Sequence, residues 1–443
     1  MKSFTARSFS TTQAELPESI LAQLKSDPLA LFTDFQWFLY QGRDTVFFTA
    51  FTARAYDAGE LRGMVREMVH LAPQLTHGFV GGLPSEPLSE AQIEAVISVE
   101  TVDSLEGFPD KWIGTSDDLF DVPGVPMFRL MVANLAGGPD GEGRAGVLQV
   151  RAAHCLLEGS DSALLTRSQP AGHGLLKNRQ NKVGLLHRIG GMLGAFSMTA
   201  VHLFFAHLLS PPEKQLHPRT VAIQRRRLRD LALKLGVRQR ALYFALVAHA
   251  LNGPDKVMSA KAISAAYTMI GGLRNDVDDD FFRVRTIEAK FAYSEDFIAF
   301  VEDVDRTVAK IEERDVSKLQ MTILAMFGMH RKLHRIAPWI HGPRFWRFSG
   351  NMHLVLTLVP PHRINGALTQ GMVEPIFCGA FHPSVNICTF CPGREYVTFN
   401  FTGEEKLAHG VARIEPLIAE LEKVLSAPEP EASPVLIQSE QEL

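Results

Sequence analysis

An imidazole and a carboxylate stand four residues apart in the run from Gly146 to Leu165, Gly-Val-Leu-Gln-Val-Arg-Ala-Ala-His-Cys-Leu-Leu-Glu-Gly-Ser-Asp-Ser-Ala-Leu-Leu. They are His154 and Glu158. Histidine titrates near neutral pH, so a rigidly held His154 could take a proton from a bound hydroxyl without a metal. Val147 to Ala152 reads as a buried strand, Cys155 to Gly159 leaves it, and Ser160 or Asp161 can cap a following helix. That order places His154 at a strand end, where a side chain leaves the core yet stays held. On spacing alone a satisfied core histidine explains the pattern as well.

Other groups with chemical potential are weaker. Arg225, Arg226, Arg227 and Arg229 crowd one helix start. They are either a solvated helix face or a set of forked donors for phosphate. Between Phe327 and Phe348 lie Arg331, Lys332, Arg335, Arg344 and Arg347, with Trp339, Phe345 and Trp346 among them and no acid. That mixture suits an anionic membrane boundary, or equally a helix and loop with their charges in water. Asp276, Asp278 and Asp280 imitate a calcium loop, but Phe281 stands where glycine is needed and Ile287 where the bidentate Glu belongs. Cys388 and Cys391 spell Cys-x-x-Cys, yet in a strand they face opposite ways. No metal site is expected. The glycines of Gly137 to Arg144 precede a strand and lack the Lys-Ser/Thr of a phosphate loop.

The elements that must carry His154 follow from patterning. We read Asp34 to Tyr40 as a loop, Thr45 to Ala53 as a strand, and Glu60 to Leu71 as an amphipathic helix. Ser89 to Val99 reads as a helix capped by Ser89, and Val125 to Leu135 as a strand turning through Gly137–Arg144 into the His154 strand. Gly190 to Leu209 is uncharged, but its glycines, Ser197, Thr199, His202 and His207 favour a buried or surface-docked helix over a membrane span. Strands are then expected at Arg219–Gln224, Phe282–Phe291, His353–Val359, Met372–Gly379, Val385–Cys391 and Glu395–Thr402. Helices are expected at Arg226–Leu235, Gln239–Leu251, Ser294–Glu313 and Glu404–Leu425.

With 443 residues, 46% hydrophobic and 21% charged, the chain can bury two or three full cores. Its net charge of −4 argues against nucleic acid as a partner. Four cysteines make no disulfide framework and fit a reducing compartment. Met1 to Ala14 is basic and polar without the apolar run of a secretory signal. Ala427 to Leu443, rich in Pro, Glu and Ser, is expected to be a disordered tail.

The His154 segment resembles the active-site segment of the wax ester synthase/diacylglycerol acyltransferase family, within the CoA-dependent acyltransferases that include chloramphenicol acetyltransferase and condensation domains. The family's segment reads His-His-x-x-x-Asp-Gly; here Ala153 replaces the first His, His154 is the second, Glu158 replaces Asp, and Gly159 is kept. Weaker similarity runs from about Asp34 to Leu425, including Arg-Thr-Val-Ala-Ile at Arg219. Leu356 to Pro361 stands where the family has Ser-Asn-Val-Pro-Gly-Pro.

The resemblance implies an α/β (α+β) fold of two chloramphenicol acetyltransferase-like subdomains, with mostly antiparallel or mixed sheets and a tunnel between them. The expected divisions are 1–33 as an extension, 34–180 and 218–426 as subdomains, 181–217 as apolar helix and linker, and 427–443 as tail. The implied activity is acyl transfer from acyl-CoA, the co-substrate, to a hydroxyl of a lipid or long-chain alcohol, with no permanently bound cofactor. His154 is then the general base, Glu158 a structural acid, and Gly159 a point of close backbone approach. Phosphate contact by Arg225, Arg226, Arg227 and Arg229 and membrane contact by Arg331, Lys332, Arg335, Trp339 and Trp346 complete the expectations, for a cytoplasmic protein docking peripherally on the inner face of a membrane. A catalytically silent acyl- or lipid-binding relative is the alternative that Ala153 and Glu158 raise.

Overall fold

The computed structural model describes residues 34–71, 75, 88–112, 119–120, 122, 125–157, 189–197, 216–252, 262–270, 284–313, 317–336, 354–359, 371–382 and 385–426. In chain order the first half supplies α1 (Asp34–Gly42), β1 (Thr45–Thr52), α2 (Ala58–Leu71), α3 (Glu90–Val96), β2 (Ile97–Val102), β3 (Phe128–Leu135) and β4 (Gly146–Ala153). The second supplies β5 (Leu216–Gln224), α4 (Arg225–Leu235), α5 (Gln239–Asn252), β6 (Ala262–Ile270), β7 (Val284–Ala292), α6 (Phe297–Glu313) and α7 (Ser317–Ile336). It closes with β8 (Leu354–Leu358), β9 (Met372–Phe381), β10 (Ile387–Pro392), β11 (Tyr396–Glu404), α8 (Glu405–Val411) and α9 (Ile414–Val424).

β1 and β4 are buried at every position, which their β-branched and aromatic content allows. They lie inside a five-stranded sheet of order β2-β3-β4-β1-β9. A six-stranded sheet has the order β5-β11-β10-β8-β6-β7. Both are mixed: β2 runs parallel to β3, and β8 parallel to β6 and β10, while the other pairs are antiparallel. β4 begins at Gly146, where a Cβ would stand 2.5 Å from the Ala133 carbonyl oxygen and 3.1 Å from the Thr52 hydroxyl. Only glycine fits between β3 and β1 there.

The second sheet is backed by α5, which is apolar all round and correspondingly enclosed. Its Phe244 packs on Phe390 with ring centroids 5.2 Å apart, and Tyr243 lies against both Phe390 and Phe399. α4 ends on Gly236 at φ 68, the left-handed cap that its position after the last apolar residue demands.

β9 belongs to the second half of the chain yet completes the first sheet by pairing with β1. On its other flank the Thr398 and Thr402 hydroxyls of β11 donate to the Ile376 and Ala380 carbonyls at 2.7 and 3.0 Å. Cys378 of β9 and Cys391 of β10 bring their sulfurs to 3.1 Å at the same seam. Cys388 points the other way into the α5 core, as alternation in a strand requires.

Most elements fall where patterning puts them, with four differences. Asp34–Gly42 is a helix rather than a loop, because Trp37 and Leu39 are buried against the first core. The Ser89 cap holds as a full capping box, but its helix stops at Val96 and Ile97–Val102 becomes a strand beside β3. β6 escapes sequence reading because its Ala- and Ser-rich run lacks a strand signature. The terminal helix is two helices: the ring of Pro416 clashes with a helical carbonyl at Ala412, so the chain breaks there. Residues 189–197 are helical and rest Gly194 against Thr322 of α7. The expectations for 198–209, for the aspartates of 275–280 and for both termini lie outside the described residues.

Candidate active site

The site is assembled where three adjacent strands of the first sheet end. Thr45 of β1 stands opposite Ala153 of β4 on one side and Phe381 of β9 on the other. One residue further, Asp44 lies between His154 and His382.

His154 is fixed by backbone before its side chain is considered. Its N–H donates to the Asp44 carbonyl at 2.7 Å, continuing the β1–β4 ladder one step. The chain then turns, with Leu156 N–H and Leu157 N–H both directed to the Ala153 carbonyl at 2.9 and 3.3 Å. Gln36 of α1 braces this turn by donating to the Cys155 carbonyl at 3.0 Å. The imidazole closes it: Nδ1 lies 2.9 Å from the Leu157 carbonyl oxygen. A carbonyl oxygen only accepts, so Nδ1 carries the hydrogen and Nε2 presents a lone pair. Burial lowers the pKa of the ring, an effect partly offset by that hydrogen bond.

Asp44 follows the end of α1. Arg43 takes φ 54, and the Arg43 and Asp44 N–H groups return to the Tyr40 and Leu39 carbonyls at 3.1 and 3.3 Å. This is the bonding of a helix terminus that normally uses glycine, here made with arginine in the left-handed region. The Asp44 carboxyl is buried, and its Oδ1, which has no hydrogen-bond partner, faces Nε2 of buried His382 at 3.4 Å. Burial raises the Asp44 carboxyl well above its ordinary range and pushes His382 down to about 4, the latter aided by nearby His154. Buried Cys155 is likewise held as a thiol, mainly by desolvation and further by Asp44.

Neither Asp44 nor His382 is signalled by a motif. Each merely begins or ends an apolar strand, and only the β4-β1-β9 register brings them to His154. Ala153 has no exposed surface and packs in the first core. Glu158 and Gly159 lie outside the described residues.

The arginine cluster does not form a free phosphate cradle. Arg225 donates to the Gly393 carbonyl at 2.8 Å. Arg227 grips Glu422 through two 2.8 Å bonds and also pairs with Glu415, tying α4 to α9. Arg226 and Arg229 are exposed and face Asp230. The Arg331 side chain is only 11% exposed and reaches Asp34 at 3.3 Å. Lys332 and Arg335 are exposed, whereas Trp339 and Trp346 lie outside the described residues. Among the described residues no group of three His, Cys, Asp or Glu could hold a metal, and no helix is long and apolar enough to cross a membrane. A cavity of about 460 Å³ lined by Phe51, Leu105, Phe108 and Arg144 sits near the opposite end of β1 from Asp44, roughly 24 Å away along the strand, and plays no part here.

No protein-family profile matches the chain, and no curated protein matches it by sequence. Solved structures do. The chain is similar to a wax ester synthase/diacylglycerol acyltransferase from Marinobacter aquaeolei VT8, with TM-score 0.56 and 14% identity over 89% of this chain and 98% of that one. It is also similar to the first condensation domain of the CDA synthetase, with TM-score 0.52 and 13% identity over 89% and 95%. A third similar structure is the trichothecene 15-O-acetyltransferase from Fusarium sporotrichioides, with TM-score 0.52 and 11% identity over 87% and 92%. The fold is the two-subdomain, condensation-domain- and chloramphenicol acetyltransferase-like fold of these structures. Identities this low speak for the fold and not for the reaction.

Proposed function

We propose that the chain is an O-acyltransferase that moves an acyl group from a CoA thioester to a hydroxyl of a lipid or long-chain alcohol, with His154 as the general base. The observation carrying this reading is the Nδ1–H to Leu157 bond, which leaves Nε2 of an uncharged imidazole as a held proton acceptor at the end of a buried strand. Nε2 takes the proton of the acceptor hydroxyl as its oxygen attacks the thioester carbonyl. The tetrahedral intermediate then collapses, the C–S bond breaks, and the thiolate recovers the proton from the imidazolium. Such a step contributes roughly 10²- to 10⁴-fold in rate. In this reading residues 34–180 and 218–426, the latter lending β9, form the two walls between which CoA and acceptor meet. An acceptor held in a lipid surface would approach past exposed Lys332 and Arg335.

The test is release of free thiol from short- to long-chain acyl-CoAs with alcohols, or with acceptor lipids in anionic vesicles. Acceptor-dependent release is expected in the parent and a fall of at least roughly a hundredfold in His154→Ala. A folded parent that binds acyl-CoA or lipid without turning it over would instead establish a silent binding protein, the reading that Ala153 and Glu158 favour.

A further inference from the structure

The mechanism above leaves two buried titratable groups unused, and both stand beside the base. Directly opposed residues of neighbouring strands project to the same side of a sheet, so the register that ends at Thr45 sets Asp44 between His154 and His382. The His154 N–H bond to the Asp44 carbonyl shows that this register persists one residue past the β4 end. A buried carboxyl 3.4 Å from one imidazole and directly across the strand register from another histidine is a costly arrangement unless protons are shared among them. The cost is increased by Arg43, the one non-glycine residue at positive φ among those described, whose turn delivers Asp44 to this position. Strain held next to a buried ionisable pair indicates that the placement of Asp44 matters more than the comfort of its neighbour.

We propose, resting on the reading of His154 as base, that Asp44 and His382 are positioning residues that share one proton beside it. As His154 becomes an imidazolium, Asp44 takes up negative charge and its proton passes to His382. The acceptor's proton is thus accommodated by three groups rather than by one ring. Atoms and charge balance: one proton enters from the substrate hydroxyl, one moves within the pair, and both return when the thiolate departs.

Few other charges intrude. Arg43 is exposed, and Cys155 is a buried thiol. On β4 and β3, Arg151 donates to the Trp112 carbonyl, and Arg129 to those of Pro126 and Phe128. α7 brings Arg331 and His334 against Asp34 and Trp37 of α1. The directions of the Asp44 and His382 shifts agree with a pair holding one proton between them.

The experiment is a histidine NMR titration of the full chain carrying ¹³C at the imidazole Cε1, which needs no turnover. In the parent, His154 and His382 should titrate in concert. Asp44→Asn removes the countercharge and should move the His154 titration down by roughly one pH unit; His382→Gln removes the ring that takes the Asp44 proton, leaves the carboxyl neutral and should move it down as well. The acid limb of the acyl-transfer pH profile should move down in both variants, with KM little changed. Independent titrations in the parent, or a His154 titration that stays in place or moves up in either variant, overturn the proposal, and the parent measurement decides alone if a variant does not fold. Coupled titration without acyl transfer would remove the functional reading and leave the pair; acyl transfer lost in His154→Ala with uncoupled titration would do the reverse.

Discussion

At the scale of the residue, the half-buried imidazole of His154 links chemistry to stability. Its pKa in the folded chain lies below the ordinary 6.5, to which it returns on unfolding. The unfolded state therefore binds more protons between those values, and stability falls as pH drops below about 6.5. Asp44 and His382 are shifted in opposite directions, so their contributions to the pH dependence oppose each other. Melting temperature is accordingly expected to fall between pH 7 and pH 5 by less in His154→Gln than in the parent. An equal fall in both would show that His154 is not desolvated. His154 itself was legible because a strand end and a short motif are local features. Asp44 and His382 were not, because their meaning depends on two strand registers linking positions 44, 154 and 382.

At the scale of the element, β4 shows how backbone rather than side chain positions His154. Its first residue, Gly146, is wedged between Ala133 and Thr52, and its last, Ala153, leads into the His154 turn. Gly146→Val should cost about 1–3 kcal/mol in denaturant unfolding, because the neighbouring strands must part to admit the side chain; an unchanged midpoint would show that β3 yields freely. Periodicity made most elements visible: the capping box at Ser89, the Gly236 stop of α4 and the apolar α5 each carry a local signal. Elements that depend on neighbours were misread. α1 is helical because Trp37 and Leu39 find a core, and Ile97–Val102 is extended because β3 offers an edge.

At the scale of the molecule, β9 decides what counts as a half. The two-subdomain fold was legible through the resemblance around His154, but the exchange of a strand was not, since nothing in Met372–Phe381 marks it for the other sheet. Without β9, β1 has an unpaired edge beside the candidate site. A chain ending at Val359 is therefore expected to associate into large species in size-exclusion chromatography, and a peptide of residues 371–382 to reduce that association. A truncated chain that elutes as a stable monomer would show that the β1 edge is satisfied in some other way. The same feature bears on biosynthesis. At ordinary translation speed, on the order of tens of seconds separate the emergence of β4 from that of β9. Through that interval every nascent copy carries an open β1 edge, so neighbouring copies on one messenger, or a chaperone, compete for the place that β9 will take.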